Sequence, residues 1–345
     1  MRCSVAMAEV RPDLWPLLDR GAPVSPVWET EAFADEMRAW CSEVLDRDVQ
    51  LEVQKIRGWS AVWRVTDGRD VWFAKQNCPG QLFEAALLGV LSRLSDRVVP
   101  VTAVDPSRGF LLTPDQGPVL ADTDGDPVEQ WCAVAREGTL FQREVAPHLA
   151  NLEEAGLRRL GPAEATTYVA TRTEQYAALP EGDPRRLDAD AAARLRARLP
   201  EVEAWADRLL GLGLPLTLVH NDLHGYNVFS VDGRMRFFDF GDAVLGDPLS
   251  VLLVVVRSLM FRLECEPDDP RLTRVSEAAL EPWSDRASLP DLREALDAAL
   301  QLGKLARAES WVRCLGNLTD AETAEFGDAG TYWLQAIEAS ALQTE

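Results

Sequence analysis

The sequence has few histidines and no paired cysteines. Its 345 residues include three histidines and six cysteines. No two cysteines stand in a CxxC spacing; they are Cys3, Cys41, Cys78, Cys132, Cys265 and Cys314. This scatter argues against a zinc site and against a disulfide framework, and it is typical of reduced thiols. We therefore expect a cytoplasmic protein.

Basic residues are outnumbered by acidic ones. The chain carries 35 Lys and Arg against 56 Asp and Glu, which gives a formal net charge of −21. A negative field of this size argues against binding to nucleic acid or to an anionic membrane surface. It is compatible with a cationic substrate, although acidic surfaces more often serve solubility.

Long hydrophobic runs are also missing. The apolar segment 249–260 is too short to span a bilayer and contains Arg257, so it predicts a buried core helix. The first seven residues lack the sustained apolar core of a secretory signal peptide. We therefore expect neither a membrane span nor an export signal.

What the sequence does contain is a β-rich segment. Alternating apolar residues predict strands at about 49–56, 62–65, 71–75, 98–104 and 110–113. Asp67-Gly68 predicts a tight turn between the second and third of these strands. An amphipathic helix is predicted over 82–94, between the third and the fourth.

Helical patterns prevail from about residue 125 onward. Together with the β-rich segment they predict an α+β fold with a small antiparallel sheet and a larger, mostly helical part. We expect three regions: an N-terminal arm and helix that pack on the body (1–47), a small β-rich lobe (48–113) and a helical lobe (114–345).

Two polar loops carry the most informative residues. Each follows a short apolar run, and their spacing lets Asp222, Asn227 and Asp239 aim three oxygen-bearing side chains at one point. Such oxygens suit Mg²⁺, which takes one or two carboxylates together with phosphate oxygens. We therefore predict a phosphoryl-transfer site in which Asn227 and Asp239 bind Mg²⁺. Asp222 would accept the proton of a substrate hydroxyl.

Phosphoryl transfer also requires a cation on the phosphates of the donor. Lys75 ends the third predicted strand, and Glu84, nine residues on, is the best candidate to orient its ammonium group. The turn between the first two strands carries Gly58, which would let the backbone approach the phosphates, and Ser60, which would donate to a phosphate oxygen. Alone, Lys75 and Glu84 are better explained as surface charges, and the turn is equally well explained as an ordinary hairpin. Their joint order favours the phosphotransfer site.

Two further residues are assigned structural roles. His220 is predicted to brace its loop by bonding backbone near the Asp239-Phe-Gly turn, because no partner set around it suggests a metal site. Asp247 followed by Pro248 is the pattern of a helix N-cap with proline at the first helical position.

This set of residues resembles the aminoglycoside phosphotransferase/choline kinase family, the small-molecule branch of the protein-kinase-like fold. The most specific match is His-x-Asp-Leu-His-x-x-Asn over 220–227, and Lys75, Glu84, Asp239-Phe-Gly and Gly246-Asp-Pro248 also match. Protein kinases usually carry Arg where this chain has Asn221. The resemblance extends over about residues 48–260.

The resemblance implies a bilobal protein-kinase-like fold that binds ATP, or GTP, with Mg²⁺ in the cleft between its lobes. The small lobe (48–113) would then be nucleotide-binding, and the helical lobe (114–345) would carry the catalytic and metal loops and the acceptor site. It implies transfer of the γ-phosphate to a hydroxyl of a small molecule. Asp222 corresponds to the catalytic aspartate of the family and Lys75 to its phosphate-binding lysine. Asn227 and Asp239 correspond to its Mg²⁺ ligands.

The acceptor and the oligomeric state, monomer or dimer, stay open at this point. An aminoglycoside-like or other antibiotic competes with an amino alcohol, an amino acid or a sugar. A nucleotide-binding pseudokinase with a regulatory role is the alternative from another class. An acidic acceptor pocket would favour a cationic substrate, and the candidates to line it are Asp242, Glu264, Glu266, Asp268 and Asp269.

Overall fold

The computed structural model describes residues 8–17 and 20–343. The predictions made on the first seven residues, including the thiol of Cys3, lie outside the described residues. The other five cysteines are free thiols. Within 8–17 and 20–343, no helix combines the length and the apolar character that a membrane span requires.

Five antiparallel strands form the small sheet. In chain order they are β1 (Gln50–Arg57), β2 (Ser60–Thr66), β3 (Val71–Asn77), β4 (Ala103–Asp105) and β5 (Phe110–Pro114), and their spatial order is β1-β2-β3-β5-β4. Gly68 has a φ of +89°, and Asp67 Oδ1 accepts the backbone N–H groups of Arg69 and Asp70, so the predicted turn between β2 and β3 is confirmed.

The strand predicted over 98–104 is wrong over residues 98–102. Only residues 103–105 join the sheet, as β4, while Val98 makes an isolated bridge to Phe237 of the other lobe. The physical reason is Pro100, which has no N–H to donate to a strand ladder.

Three helices pack around this sheet: α1 (Ser25–Trp28), α2 (Glu31–Leu45) and α3 (Phe83–Leu94). Helix α2 is capped at its N-terminus by Thr30, whose hydroxyl accepts the N–H of Phe33 at 3.2 Å. Its apolar face is buried, and Phe33 stacks on Trp63 of β2 with 5.5 Å between ring centroids. Helix α3 carries Glu84 in its first turn.

The larger part is helical and adds two short two-stranded sheets. Its helices are α4 (Pro127–Val145), α5 (Leu149–Glu154), α6 (Pro162–Ala177), α7 (Ala189–Gly211), α8 (Leu252–Leu263), α9 (Pro270–Leu280), α10 (Leu289–Cys314), α11 (Asp320–Phe326) and α12 (Ala329–Gln335). Strand β6 (Thr217–Val219) pairs with β9 (Val244–Gly246), and β7 (Val228–Val231) with β8 (Arg234–Phe237). The predicted α+β architecture is confirmed.

Helix α10 lies at the centre of the helical part. Most of its residues are buried. A Cβ at position 303 would lie 2.9 Å from Ser250 O, so Gly303 allows α10 to pack closely against the backbone at Ser250. The short strands matter for function because the loops that follow β6 and β8 are the two polar loops of the sequence.

Candidate active site

Lys75 connects the two lobes through two carboxylates. Its Nζ lies 2.6 Å from Glu84 Oε2 on α3 and 2.6 Å from Asp239 Oδ1 after β8. Burial lowers the pKa of Lys75, but the two carboxylates more than offset that effect and raise it above its ordinary value. The predicted contact between Lys75 and Glu84 is therefore confirmed. The Lys75 ammonium group is charged, and the two carboxylates hold it in position.

Glu84 is buried and saturated with donors. Besides Lys75, its carboxylate accepts the side-chain amide of Asn77 and, at 2.7 Å, the backbone N–H of Phe240. Phe240 belongs to the Asp239-Phe-Gly turn, and Asp239 is held at a φ of +64°. Glu84 thus sets the position of the lysine and of the turn that carries Asp239.

The loop after β6 is fixed from behind by His220. Its Nε2 lies 2.8 Å from Phe238 O, and its Nδ1 accepts the N–H of Asp222 at 3.3 Å. Burial lowers the pKa of His220, which is consistent with a neutral ring carrying its proton on Nε2. The predicted bracing role is confirmed.

Asn221, directly before Asp222, has a left-handed backbone conformation. Its φ of +62° is left-handed, a conformation that asparagine tolerates better than most residues, and its side chain donates to Asp242 O at 2.9 Å. This gives a local reason for asparagine directly before Asp222.

The Asp222 carboxylate is surrounded by donors. Oδ2 accepts from Asn227 Nδ2 at 3.0 Å and lies 3.2 Å from His224 Nε2, while Oδ1 lies 3.1 Å from Arg307 Nη1. Burial alone would raise the pKa of Asp222, but the Arg307 guanidinium and His224 more than offset it and hold that pKa well below its usual range. Asp222 is therefore ionised.

Arg307 is a site residue that sequence patterns missed. It lies on α10, 85 residues from Asp222 along the chain, and its Nη1 also donates to Asn221 O at 2.9 Å and Asp242 Oδ2 at 3.0 Å. Arginines occur throughout the C-terminal helices, so no local signal distinguished this one.

Asn227 and Asp239 keep oxygen atoms available for a cation. The Asn227 amide uses its Nδ2 for Asp222, at 2.9 Å to the backbone O and 3.0 Å to Oδ2, which leaves Oδ1 as an acceptor. Asp239 uses Oδ1 for Lys75, and its side chain is 43% exposed. The described part of the chain has no cluster of three His, Cys, Asp or Glu that would hold a metal by itself. Two oxygen ligands nevertheless fit Mg²⁺, which completes its shell with phosphate oxygens and water.

A cavity of ≈ 500 Å³ separates the two lobes in front of Lys75. Ser60, Lys75, Glu84 and Asp239 line it, together with apolar side chains of both lobes. Gly58 is not among the residues that line this cavity. A Cβ at position 58 would stand 2.4 Å from the Leu318 side chain, so glycine permits close packing against the C-terminal region. Its predicted approach to the phosphates stays a prediction.

A second cavity, of ≈ 470 Å³, opens beside Asp222. The residues that line it include Trp131, Asp222, Arg257, Arg262, Arg307 and Trp333. None of the acidic residues that were candidates to line an acceptor pocket lines this cavity. Asp242 lies behind Arg307, bonded to Gln81 at 2.7 Å, and Asp269 caps α9 by accepting the N–H of Arg271 at 2.8 Å.

Comparison with known proteins gives a family and a fold. Residues 52–290 match the model of a family described as the phosphotransferase enzyme family. No protein among those with curated descriptions matches the chain.

Several solved structures are similar to this chain. An ethanolamine kinase from Plasmodium vivax is 13% identical, with a TM-score of 0.65 over 91% of this chain and 90% of that one. A choline kinase from Streptococcus pneumoniae is 15% identical, with a TM-score of 0.55 over 88% and 99%. An amicoumacin kinase in complex with AMP-PNP and Ca²⁺ is 14% identical, with a TM-score of 0.52 over 92% and 98%. At these identities the similarity shows a common fold.

Proposed function

The chain belongs to the phosphotransferase enzyme family, and from that membership we propose that it transfers the γ-phosphate of ATP to a hydroxyl group of a small molecule. One observation carries the proposal. Lys75 and Asp239 line one cavity, while Asp222 lines the other, and the two loops that bear the aspartates are hydrogen-bonded through His220. A donor and an acceptor would therefore meet at these loops.

The roles follow from charge and hydrogen bonding. Lys75, positioned by Glu84, would donate to phosphate oxygens of the nucleotide. Asn227 and Asp239 would bind Mg²⁺, which neutralises charge on the phosphates. Ser60 lines the same cavity and would donate to a phosphate oxygen.

Asp222 would act on the acceptor. As the hydroxyl oxygen bonds to the γ-phosphorus, the bond from that phosphorus to the β–γ bridging oxygen breaks and ADP leaves. The hydroxyl proton passes to the ionised Asp222 carboxylate, which also holds the hydroxyl in line. Positioning and charge neutralisation supply most of the rate enhancement in such reactions.

The similar structures support this proposal at the level of reaction class. One of them is a complex with AMP-PNP, an ATP analogue, and the others are named as kinases of amino alcohols. Their names include both an antibiotic and amino alcohols, so the acceptor of this chain has to be argued from its own cavity.

The proposal is tested with Asp222→Asn and Asp239→Ala. Asp222→Asn should lower phosphate transfer by about 10²–10⁴-fold while AMP-PNP still binds. Asp239→Ala should abolish the Mg²⁺ dependence of nucleotide binding. Calorimetry with AMP-PNP and turnover with ATP measure both effects, and Asp285→Asn, at an exposed position, is the control.

A wild-type protein that binds no nucleotide would contradict the proposal. A protein that binds AMP-PNP but transfers phosphate to no member of a broad hydroxyl panel would instead favour the regulatory pseudokinase.

A further inference from the structure

One guanidinium group is shared between two carboxylates. Arg307 Nη1 lies 3.1 Å from Asp222 Oδ1 and 3.0 Å from Asp242 Oδ2. The same nitrogen donates to Asn221 O at 2.9 Å, so its two N–H groups serve three oxygen atoms. Arg307 Nε is buried and has no hydrogen-bond partner among the described residues. Neither carboxylate therefore holds the guanidinium in a two-point pair, and Asp222 and Asp242 compete for it.

The two carboxylates differ in what they can do. Asp222 lines the second cavity and is the residue to which we assign the acceptor hydroxyl, whereas Asp242 lies behind Arg307 and is absent from the described lining. Both side chains are largely buried, with 27% and 20% exposed, so each needs donors from the protein. Any turn of Arg307 toward Asp242 therefore takes a donor away from Asp222.

The other oxygen of Asp242 is bonded from the small lobe. Gln81 ends the short turn Pro79–Gln81 between β3 and α3, and its Nε2 donates to Asp242 Oδ1 at 2.7 Å. Gln81 is 3% exposed, so water has little access to replace its amide. Arg313, a second guanidinium near Asp242, already donates to two backbone oxygens at 2.8 and 3.0 Å. Gln81 thus supplies Oδ1 with a donor without drawing on Arg307.

The backbone on both sides of this contact is fixed. A Cβ at position 80 would lie 2.1 Å from Arg313 O, so Gly80 allows the turn to pack directly on α10, the helix that carries Arg307. The backbone oxygen of Asp242 accepts from three side chains of the helical part, at 2.9, 3.1 and 2.8 Å. Loss of the Gln81 amide would therefore be answered by rotation of side chains and not by a shift of the backbone.

We propose that Gln81 is a positioning residue for Asp222: by holding Asp242 from the small lobe, it keeps Arg307 on Asp222. The inference rests on the proposed phosphotransferase function. Without the amide, Asp242 Oδ1 would lose its donor, and Arg307 would turn to form a two-point pair with Asp242, the stronger arrangement for a guanidinium and a carboxylate. Asp222 would then lose the cation that orients its carboxylate toward the acceptor hydroxyl.

The test is Gln81→Met, which keeps the length of the side chain and removes the amide. We expect kcat to fall about 10–10²-fold, the effect of a misplaced reacting group. The KM for ATP should stay as in wild type, because the hydrogen bonds of Lys75 do not involve Gln81. Steady-state kinetics measure both constants with the best acceptor among ethanolamine, serine, glucose and kanamycin, which represent amino alcohols, amino acids, sugars and aminoglycosides.

The matched control is Gln301→Met. Gln301 is also buried, at 4% exposed, and its Nε2 donates to Ala339 O at 2.9 Å. This substitution removes one buried amide of the same kind away from the two carboxylates, so it should leave kcat as in wild type. Urea denaturation checks that each variant folds. If Gln81→Met does not fold, Gln81→Leu removes the same amide.

A second substitution distinguishes positioning from a purely structural role. Asp242→Asn removes the competing charge, so Arg307 keeps Asp222 as its carboxylate partner. Combining Asp242→Asn with Gln81→Met should therefore restore kcat to the value of Asp242→Asn alone. A structural defect would instead grow in the double variant, because two buried groups are altered in place of one.

The outcomes separate this proposal from the proposed function. An unchanged kcat in Gln81→Met overturns the positioning role, as does a loss confined to the KM for ATP or a loss that the double variant does not recover. If wild type phosphorylates none of the four acceptors, crystal structures decide. Arg307 withdrawn from Asp222 in Gln81→Met and returned in the double variant supports the proposal, and an unmoved Arg307 overturns it. Failure of wild type to bind AMP-PNP would instead count against the proposed function.

Discussion

Three donors share one buried carboxylate at Glu84. Lys75, Asn77 and the backbone of Phe240 all donate to it, so this side chain links the small sheet to the Asp239-Phe-Gly turn. Surface ion pairs contribute little, because water screens them. Here the carboxylate is almost fully buried, and its partner Lys75 is 14% exposed, so the contact both stabilises the fold and positions the ammonium.

Glu84→Gln should therefore affect both stability and catalysis. The side-chain N–H₂ of the new glutamine would face groups that are themselves donors, so a hydrogen bond is lost. We expect the free energy of unfolding to fall by about 2–3 kcal/mol and the KM for ATP to rise. Urea denaturation and steady-state kinetics measure the two effects. The control is Glu294→Gln, which removes an exposed pair with Arg208 and should cost at most about 0.5 kcal/mol. Equal losses in both variants would contradict the assignment.

Arg307 compensates two partly buried carboxylates at once. Arg307→Met would leave Asp222 and Asp242 without this cation. Breaking a fully buried pair costs about 3–5 kcal/mol, and because these two carboxylates are partly exposed, we expect a loss below that range. Adding Asp242→Asn removes one of the uncompensated charges and should recover part of that loss. Urea denaturation of both single variants and of the double variant measures the coupling. Strictly additive losses would show that the two residues do not depend on each other.

At the scale of elements, the helix start after β9 depends on a buried acid. The Asp247 carboxylate accepts the N–H of Leu249 at 2.9 Å, which confirms the predicted N-cap. Its side chain is almost fully buried, and burial raises the pKa of Asp247 from 3.8 to about 7. Asp247 therefore binds its proton more tightly in the folded protein than in the unfolded chain.

This pKa gives a signed prediction for stability. Between about pH 4 and 7 the folded protein holds a proton on Asp247 that the unfolded chain has released, so the contribution is present below pH 4 and is lost as the pH rises toward 7. Asp247→Asn should remove this contribution, which amounts to at most about 4 kcal/mol across the window. Urea denaturation of wild type and variant between pH 4.5 and 8 measures the difference in slope.

The matched control for Asp247 is Asp188→Asn. Asp188 also caps a helix, accepting the N–H of Ala191 at 2.7 Å, but it is exposed. Its substitution should leave the slope of stability against pH as in wild type. An unchanged slope in Asp247→Asn would show that this acid ionises normally in the folded protein.

At the scale of the whole molecule, the turn between β1 and β2 is clamped by the C-terminal region. Trp59 makes edge contacts with Trp311 and Phe326, with centroid distances of 5.4 and 5.2 Å. Gly58 packs beside them, against Leu318. The turn that carries Ser60 into the cavity in front of Lys75 is therefore held by residues more than 250 positions further along the chain.

Trp59→Ala should couple folding to nucleotide binding. Loss of the aromatic contacts should cost about 2–3 kcal/mol, since aromatic-to-alanine changes in cores cost about 3–5 and Trp59 is only partly buried. The KM for ATP should rise because Ser60 is no longer held. Val53→Ala, at an exposed position of β1, is the control. A stability loss with an unchanged KM would show that the clamp does not reach the cavity.

The local elements could be predicted from the sequence because they depend on near neighbours. The alternation of apolar residues predicts β1, β2, β3 and β5, and the Asp67-Gly68 turn depends on four residues. The hydrogen bonds of His220 and of the Asp247 cap are made to residues within a short loop or one strand pair. The Lys75–Glu84 contact is also local, since β3 leads directly into α3.

The tertiary structure alone decided the lining of the cavity beside Asp222. Arg257, Arg307 and Trp333 come from three different helices, and no spacing in the sequence signals that they meet. For the same reason the packing of Gly58 against Leu318 could not be predicted from the sequence. The motif of Asp222, Asn227 and Asp239 was sufficient to predict the phosphotransferase class because those residues lie within adjacent loops. What reaches Asp222 depends on long-range packing, which periodicity and spacing do not encode.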